Sequence, residues 1–433
     1  MVSANREHGY SELRRGWRMV IAALVGVACG SSPIPYTAIG QLIGPMREAL
    51  GWSIAEISLA ITLFGLCASA MAPLVGAIAD RRGVRPVALL SLLLFGLAFA
   101  ALGATPAVVG AWWLAWALAG LVSVGSGTLS WTRGIGLWFF RQRGIALGLA
   151  LIGTSVTGVM VPQVAGWAID RFGWRSVFPL LALLPLLVAL PVVWRWFREP
   201  PPEHRPPEVF AEGKPVGLPV AAVVRGYRFW VMIASILLIA LAYGGIFVHL
   251  QQMLELAGFD RTVARGVVSS MAAAILLGRV ATGWFLDRFW APLVTLPVLS
   301  LPALACILLA NDTLVLPIAF FCALAVGLAA GAETDMIAFM AARYFGMAHY
   351  GRIYGLLFLP FGIASAISPT LYGIARDRTG DYDAALAFAA GMFIVGAALL
   401  LALGRYPDFT AEKKAANPGH FVAPAASADS RAR

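Results

Sequence analysis

The chain has 433 residues, of which 60% are apolar and only 12% charged, against about 45–50% and about 25% in soluble domains. A membrane helix takes about 20 consecutive apolar residues, so this composition amounts to roughly a dozen spans and little else. That excludes a soluble enzyme, a disordered chain and a nucleic-acid binder, and also an outer-membrane barrel, whose alternating strands lack long apolar runs.

In chain order the apolar runs are 17–43, 54–79, 86–104, 107–138, 144–169 and 176–197. After a polar stretch come 229–254, 262–286, 291–310, 313–343, 351–375 and 384–404. The first run is too long for the ~7–15-residue core of a cleavable signal. The fold class expected is an all-α membrane protein of twelve transmembrane helices. Residues 1–197 form one six-helix half and 229–404 the other. Residues 198–228, rich in Pro and charge, read as a cytoplasmic linker, and 405–433 as a polar, disordered tail.

The net charge of +10 follows membrane topology. Most Lys and Arg fall in odd-numbered polar segments counted from the N-terminus, such as Arg14, Arg15 and Arg18, then Arg81, Arg82 and Arg85. By the positive-inside rule both termini are cytoplasmic, and the membrane expected is the inner, plasma membrane of a bacterium. Cys29, Cys67, Cys306 and Cys322 all lie in apolar runs with no metal-site spacing. No cofactor, metal or catalytic pair is expected.

The two halves repeat at an offset of 207 residues. Glu48 and Gly51 land on Glu255 and Gly258, Asp80 on Asp287, and Gly144, Gly148 and Pro162 on Gly351, Gly355 and Pro369. One offset serving six spans implies two parallel repeats about an axis along the membrane normal. After span 2 the chain reads Gly76-Ala-Ile-Ala-Asp80-Arg81-Arg82-Gly83, and after span 8 Gly283-Trp-Phe-Leu-Asp287-Arg288. These resemble the signature of the major facilitator superfamily. The glycine lets helices approach closely, and Asp and Arg form a charge cluster that can lock one conformation. Small residues repeat every four positions in span 8 (Gly266, Ser270, Ala274, Gly278) and in span 5 (Gly144, Gly148). They read as packing faces, here expected between the halves.

Four charges remain at membrane depth: Arg133 in span 4, Arg279 in span 8, and Glu333 and Asp335 in span 10. Such charges cost at least ~2.5–3.5 kcal/mol each at a helix centre and mark function or structural pairs. Arg133 maps by the offset onto Met340, two turns beyond Glu333. If Arg133 faces the central cavity, so does Glu333. Asp335, about 200° further round the helix, should face another helix and a cation there, for which Arg279 is a candidate. Helix breaks are a further pointer to a transporter site. Gly30-Ser-Ser-Pro33-Ile-Pro35-Tyr36 in span 1 and Tyr243-Gly244-Gly245 in span 7 are expected breaks, with Tyr36 and Tyr243 lining the substrate site. His249 reads as a structural or water-facing group.

Within the superfamily the chain resembles the monocarboxylate branch and its oxalate/formate-type relatives. The resemblance rests on Phe139-Phe140-Arg-Gln-Arg143-Gly144, on Asp170-Arg171-Phe172-Gly173-Trp174-Arg175, and on Arg279 ahead of Thr282-Gly283. It implies that Arg279 holds a substrate carboxylate. The animal pattern of an Asp one turn before that arginine is Ile275 here, span 1 has no lysine, and span 11 lacks the second cation of dicarboxylate members. The chemistry points to a monoanion. Arginine stays charged and clamps a carboxylate by two parallel hydrogen bonds, while an acid at membrane depth can load and release a proton. The function expected is secondary transport of a small organic carboxylate with protons, by Arg279, Tyr36 and Tyr243 as substrate contacts and Glu333 and Asp335 as coupling acids. Arg133 is read as a cavity or gating charge, and Gly76, Asp80, Arg81, Gly83, Asp287 and Arg288 as the conformational motif. The partners are the anion, protons and the lipid bilayer, with no nucleic acid, and the chain acts as a monomer. Proton-antiport efflux of a drug or metabolite, and a transporter-like sensor, are the alternatives. Neither the linker nor the tail is long enough to build a signalling core.

Overall fold

The computed structural model describes residues 2–311 and 314–409, and these are mostly helical. Of the tail, residues 410–433 lie outside the described residues. Among the described residues, eleven helices are long and apolar enough to cross a membrane. Span 2 is Ile54–Arg82, span 3 Val84–Leu102, span 4 Val109–Trp138, span 5 Arg143–Phe172 and span 6 Trp174–Trp196. Span 7 is Tyr227–Leu256, span 8 Arg261–Leu286, span 9 Ala291–Leu309, span 10 Leu316–Phe345, span 11 Tyr350–Thr379 and span 12 Asp383–Leu403. Span 1 completes the twelve. It is cut at 29–33 into Val2–Ala28 and Ile34–Leu50, because proline lacks the amide that continues a helix and Pro33 and Pro35 both fall at the join. Neither piece alone meets the length and polarity of a span.

The repeat is visible in backbone conformation. Gly51 and Gly258 end spans 1 and 7 with φ of 69° and 91°, and Gly173 and Gly380 end spans 5 and 11 with φ of 78° and 88°. All four sit at positive φ, which glycine enters without a Cβ clash; Gly51 and Gly380 are left-handed caps, while Gly173 is extended, with ψ of 166°. Span 2 opens on a capping box, Ser53 accepting from the Glu56 amide while the Glu56 carboxylate accepts from the Ser53 amide.

Two expectations are corrected. Span 7 is not broken at Tyr243-Gly244-Gly245 but continuous from Tyr227 to Leu256. Its glycines exist for packing: Gly244 lies against Ser368 and Gly245 under the Tyr372 ring of span 11. One rung is nevertheless opened. The Ser368 hydroxyl accepts from the Gly245 amide at 2.7 Å and donates to the Leu241 carbonyl at 2.5 Å, inserting into the i→i−4 ladder. The span 8 stripe does not run between the halves. Ala274 and Gly278 pack on Gly327 and Leu328 of span 10, within one half. Those of span 5 do cross, Gly144 meeting the Gly283 backbone and Gly148 that of Arg279. The linker at 198–228 carries local structure of its own. Phe210–Ala211 pairs antiparallel with Lys214–Pro215 across Glu212 and Gly213, both at positive φ, the geometry of a tight two-residue hairpin turn. Val216 and Leu218 then bond to the 10–11 loop, through Met347 N to Val216 O at 2.7 Å and Leu218 N to Phe345 O at 2.9 Å.

The halves meet at one end and part towards the other. At the end carrying Asp80 and Asp287, Gly76 packs against the Gly351 backbone and Gly283 against that of Gly144. A Cβ at any of these would overlap a carbonyl. Span 8 packs on the first segment of span 5, Arg143–Leu151, and barely touches the second, Gly153–Phe172. Gly158 and Gly166 in that second segment and Gly266 at the far end of span 8 face open space.

Candidate functional site: two caps and a central charge cluster

At the closed end the repeated motif makes two reciprocal caps. The Asp80 carboxylate accepts from the amides of Gly351 and Arg352, each at 2.9 Å, at the N-terminus of span 11. The Asp287 carboxylate accepts from the amides of Gly144 at 2.6 Å and Ile145 at 2.9 Å, at the N-terminus of span 5. A helix N-terminus carries unpaired amides and a partial positive charge, so a carboxylate there satisfies both. The two differ in what backs them. Asp80 also pairs with Arg133 at 2.5 Å, both side chains 4% exposed, and Arg133 reaches the Met347 carbonyl at 3.2 Å. Arg133 is thus held at the closed end and does not line a central cavity, which corrects the cavity half of its reading and removes the premise that placed Glu333 by analogy. Asp287 has Met340 at the position equivalent to Arg133. Burial there outweighs its two amide bonds and the charges of Arg343 and Arg143, and pushes its carboxyl up to about 7.

Other motif residues serve this end. Arg143 is buried and donates to the carbonyls of Phe139 at 3.0 Å and Gly136 at 2.9 Å, closing the C-terminus of span 4. Arg81 is exposed, and Arg288 lies 3.8 Å over the Trp284 ring while donating to its carbonyl. Gly83 turns the chain from span 2 to span 3 at φ 85°.

Deeper in the fold, Arg279 Nη1 donates to Asp335 Oδ1 at 2.6 Å and lies 3.4 Å from Thr334 Oγ1. The pair is buried, with side chains 8% and 1% exposed. Both partners keep unused capacity: Arg279 Nε and Asp335 Oδ2 have no hydrogen-bond partner among the described residues. Glu333, two residues before Asp335 and 6% exposed, leaves Oε1 buried with no hydrogen-bond partner among the described residues. Tyr243 lies within electrostatic reach of both Glu333 and Arg279, packed by its ring on Phe247 at 5.5 Å. Tyr36 is half-exposed, edge-on to Phe64, in the N-terminal half. Buried polar atoms are nearly always satisfied, so a cluster of orphans is a place where a proton, water or ligand is expected.

Two parts of this site escaped the sequence reading. Tyr354 of span 11, within electrostatic reach of Asp335 and Arg279, donates to Thr128 Oγ1 of span 4 at 3.4 Å, joining the halves beside the charge cluster. It is the middle rung of an aromatic ladder, between Tyr350 at 5.5 Å and Phe358 at 5.9 Å. Span 4 is itself broken, a 3-10 turn at Val124–Ser126 separating Val109–Ser123 from Thr128–Trp138. The signal was Gly125-Ser-Gly127. This break lies against that of span 1: Gly30 packs on the Ser126 carbonyl, and Ser31 Oγ donates to the Ser123 carbonyl at 2.9 Å. Trp131 Nε1 and Ser91 satisfy the remaining freed groups, as backbone at membrane depth requires. His249 bonds the Pro369 carbonyl and the Tyr382 hydroxyl, each at 3.0 Å, tying spans 7, 11 and 12 together.

The model of the Major Facilitator Superfamily matches residues 25–336. The chain belongs to that superfamily. It is a multi-pass membrane transporter, not an enzyme. Among curated relatives, monocarboxylate transporter 13 of Rattus norvegicus is 27% identical over 414 residues, covering 90% of this chain and 89% of the rat protein. The Bos taurus protein of the same name is 28% identical over 282 residues, 63% of each chain. A crystal structure of the human organic anion transporter MFSD10 superposes with a TM-score of 0.69 at 17% identity, over 89% of this chain and 99% of that one. At that identity the likeness is one of fold.

Proposed function

We propose that this superfamily member is a proton symporter of a small organic monocarboxylate working by alternating access. The observation that carries this reading is the buried Arg279–Asp335 pair with its unused donor and acceptor, beside an unpaired Glu333. The curated relatives named as monocarboxylate transporters point the same way. The substrate carboxylate binds the Arg279 guanidinium, which offers a planar fork of donors. Asp335 holds that fork in place, and Glu333 carries the coupled proton. Tyr243 and, across the opening between the halves, Tyr36 flank the bound anion. One deep cation in this cluster favours a monoacid over a dicarboxylate.

The halves 1–197 and 229–404 rock about the caps at the Asp80 and Asp287 end. Arginine placement supports assigning that end, both termini and the folded linker to the cytoplasm of an inner membrane. The conformation described is then outward-facing, with the cytoplasmic end closed. The transporter acts as a monomer.

The test is counterflow of radiolabelled monoacids in proteoliposomes. Arg279→Lys keeps the charge but loses the fork, so affinity should fall more than about tenfold. Unchanged binding by Arg279→Gln protein would overturn the assignment, and preference for oxalate over lactate-sized or benzoate-sized acids would overturn the monoacid reading.

A further inference from the structure

We propose that the groove between spans 3 and 6 is a binding site for an anionic phospholipid, with Arg85 as the phosphate contact. The groove is a cavity of about 420 Å³ lined by Leu89, Leu90, Leu93, Leu190, Pro191 and Trp194, with an almost wholly apolar wall. Its shape has a local cause. Span 6 is π-helical over Leu184–Ala189, with Pro185 in that turn and Pro191 just beyond it. The wider turn and the missing proline amides swing the end of span 6 out of regular packing. Further along, spans 3 and 6 close up again, where the Leu186 side chain packs on Gly96.

The groove lies on the outer face of the N-terminal half, away from the central charges. Leu90 and Trp194 are 58% and 61% exposed, a surface that bilayer covers. An acyl chain fits that wall, but any lipid would supply one. The selective element is at the mouth. Arg85 sits one helical turn before Leu89, so both fall on the same face. Its Nη2 donates to the Trp194 carbonyl at 2.6 Å, one of the carbonyls a helix leaves unpaired at its C-terminus. That bond fixes the guanidinium at the groove's rim, while its Nε is buried with no hydrogen-bond partner among the described residues. A phosphate diester supplies oxygens to such a donor, and arginine matches phosphate geometry through paired N–H groups. Arg81, Arg82, Arg195 and Arg198 flank the rim in sequence and are all exposed. The nearby acid is Glu199, whose carboxylate lies against Gly83. The local balance is strongly positive, and basic pockets between membrane helices favour anionic headgroups. Trp194 adds an aromatic ring of the kind that settles at the membrane interface.

The site is independent of transport chemistry, so it can be tested on the intact protein without a known substrate. Detergent-purified, delipidated protein is titrated with dioleoyl phosphatidylglycerol or dioleoyl phosphatidylcholine, which share acyl chains and differ in charge, and bound lipid is counted by native mass spectrometry. The wild type should bind the anionic lipid at least about fivefold more tightly, the scale of one basic residue near a charged surface. Arg85→Gln should abolish the preference while leaving phosphatidylcholine binding unchanged, and Arg195→Gln should reduce it only in part. Leu93→Trp, which fills the groove and keeps every charge, should weaken both lipids. Equal binding of the two lipids by the wild type, or a preference that survives both Arg85→Gln and Leu93→Trp, would overturn the site.

Discussion

Asp80 and Asp287 each cap a helix of the opposite half: Asp80 holds the first amides of span 11 and Asp287 those of span 5. The caps are equivalent under the 207-residue repeat, yet among the described residues only Asp80 is ion-paired with an arginine. The closed end is therefore fastened by one cap that is ion-paired with an arginine and one whose carboxyl burial pushes up to about 7.

The two caps should respond differently to loss of charge. Asp80→Asn leaves Arg133 buried without its carboxylate, a loss of about 3–5 kcal/mol. Asp287→Asn keeps an acceptor oxygen and strands no fixed partner, a loss nearer about 1 kcal/mol. Melting of the purified variants checks this, with Asp80→Asn expected to melt well below Asp287→Asn. The reverse order would show that Arg133 is satisfied without Asp80.

The same asymmetry gives the closed end a pH dependence. In the closed form the Asp287 carboxyl lies at about 7, against 3.8 for the unperturbed group. Opening the span 5–span 8 contact returns it to water and its ordinary value. A group with the higher value in the closed form binds a proton on closing. Its stabilisation of the closed form is complete below about 4 and lost as pH rises through about 7. Spin labels at exposed positions Arg82 and Phe289 should report an open population that grows from about pH 4 to about pH 7 and levels off above it. Asp287→Asn should flatten that response, and an unchanged response would assign it to another group.

The motif positions were legible because glycine, aspartate and arginine at fixed spacing recur at one offset, but the sequence reads them as an Asp–Arg charge cluster, and that each aspartate caps a helix of the opposite half is seen only in the structure. The Arg279, Glu333 and Asp335 cluster stood out by polarity, since charge is rare at membrane depth. What could not be read was packing that uses ordinary residues. Ser368 enters the span 7 ladder from 127 residues away, and a serine in an apolar run gives no sign of its partner. Gly244 and Gly245 looked like a hinge because glycine serves both backbone freedom and close approach, and here the Tyr372 ring decides for the second. Arg133 was placed by symmetry with Met340, and symmetry says nothing of the Asp80 carboxylate one helix away.

At the central site, Arg279 and Asp335 should behave as a unit. Each single neutralisation strands a buried charge, so Arg279→Gln and Asp335→Asn should each destabilise by about 3–5 kcal/mol. The double variant strands neither and should be more stable than the two losses added together, with a coupling of about 1–3 kcal/mol. Thermal melting of the four proteins completes the cycle. Simple additivity would mean that the pair in this conformation contributes nothing to the fold.

Proton coupling is tested most directly by measuring accumulation and equilibrium exchange of one monoacid in the same vesicles, for wild type and Glu333→Gln. Glutamine keeps the side chain's size and fixes it in the uncharged state. The variant should bind and exchange substrate at rates near wild type, yet fail to concentrate it when a pH difference is imposed. Undiminished accumulation by Glu333→Gln would contradict the assignment and pass it to Asp335. Accumulation that survived neutralising both acids would show that this transporter's substrate moves without a proton from either.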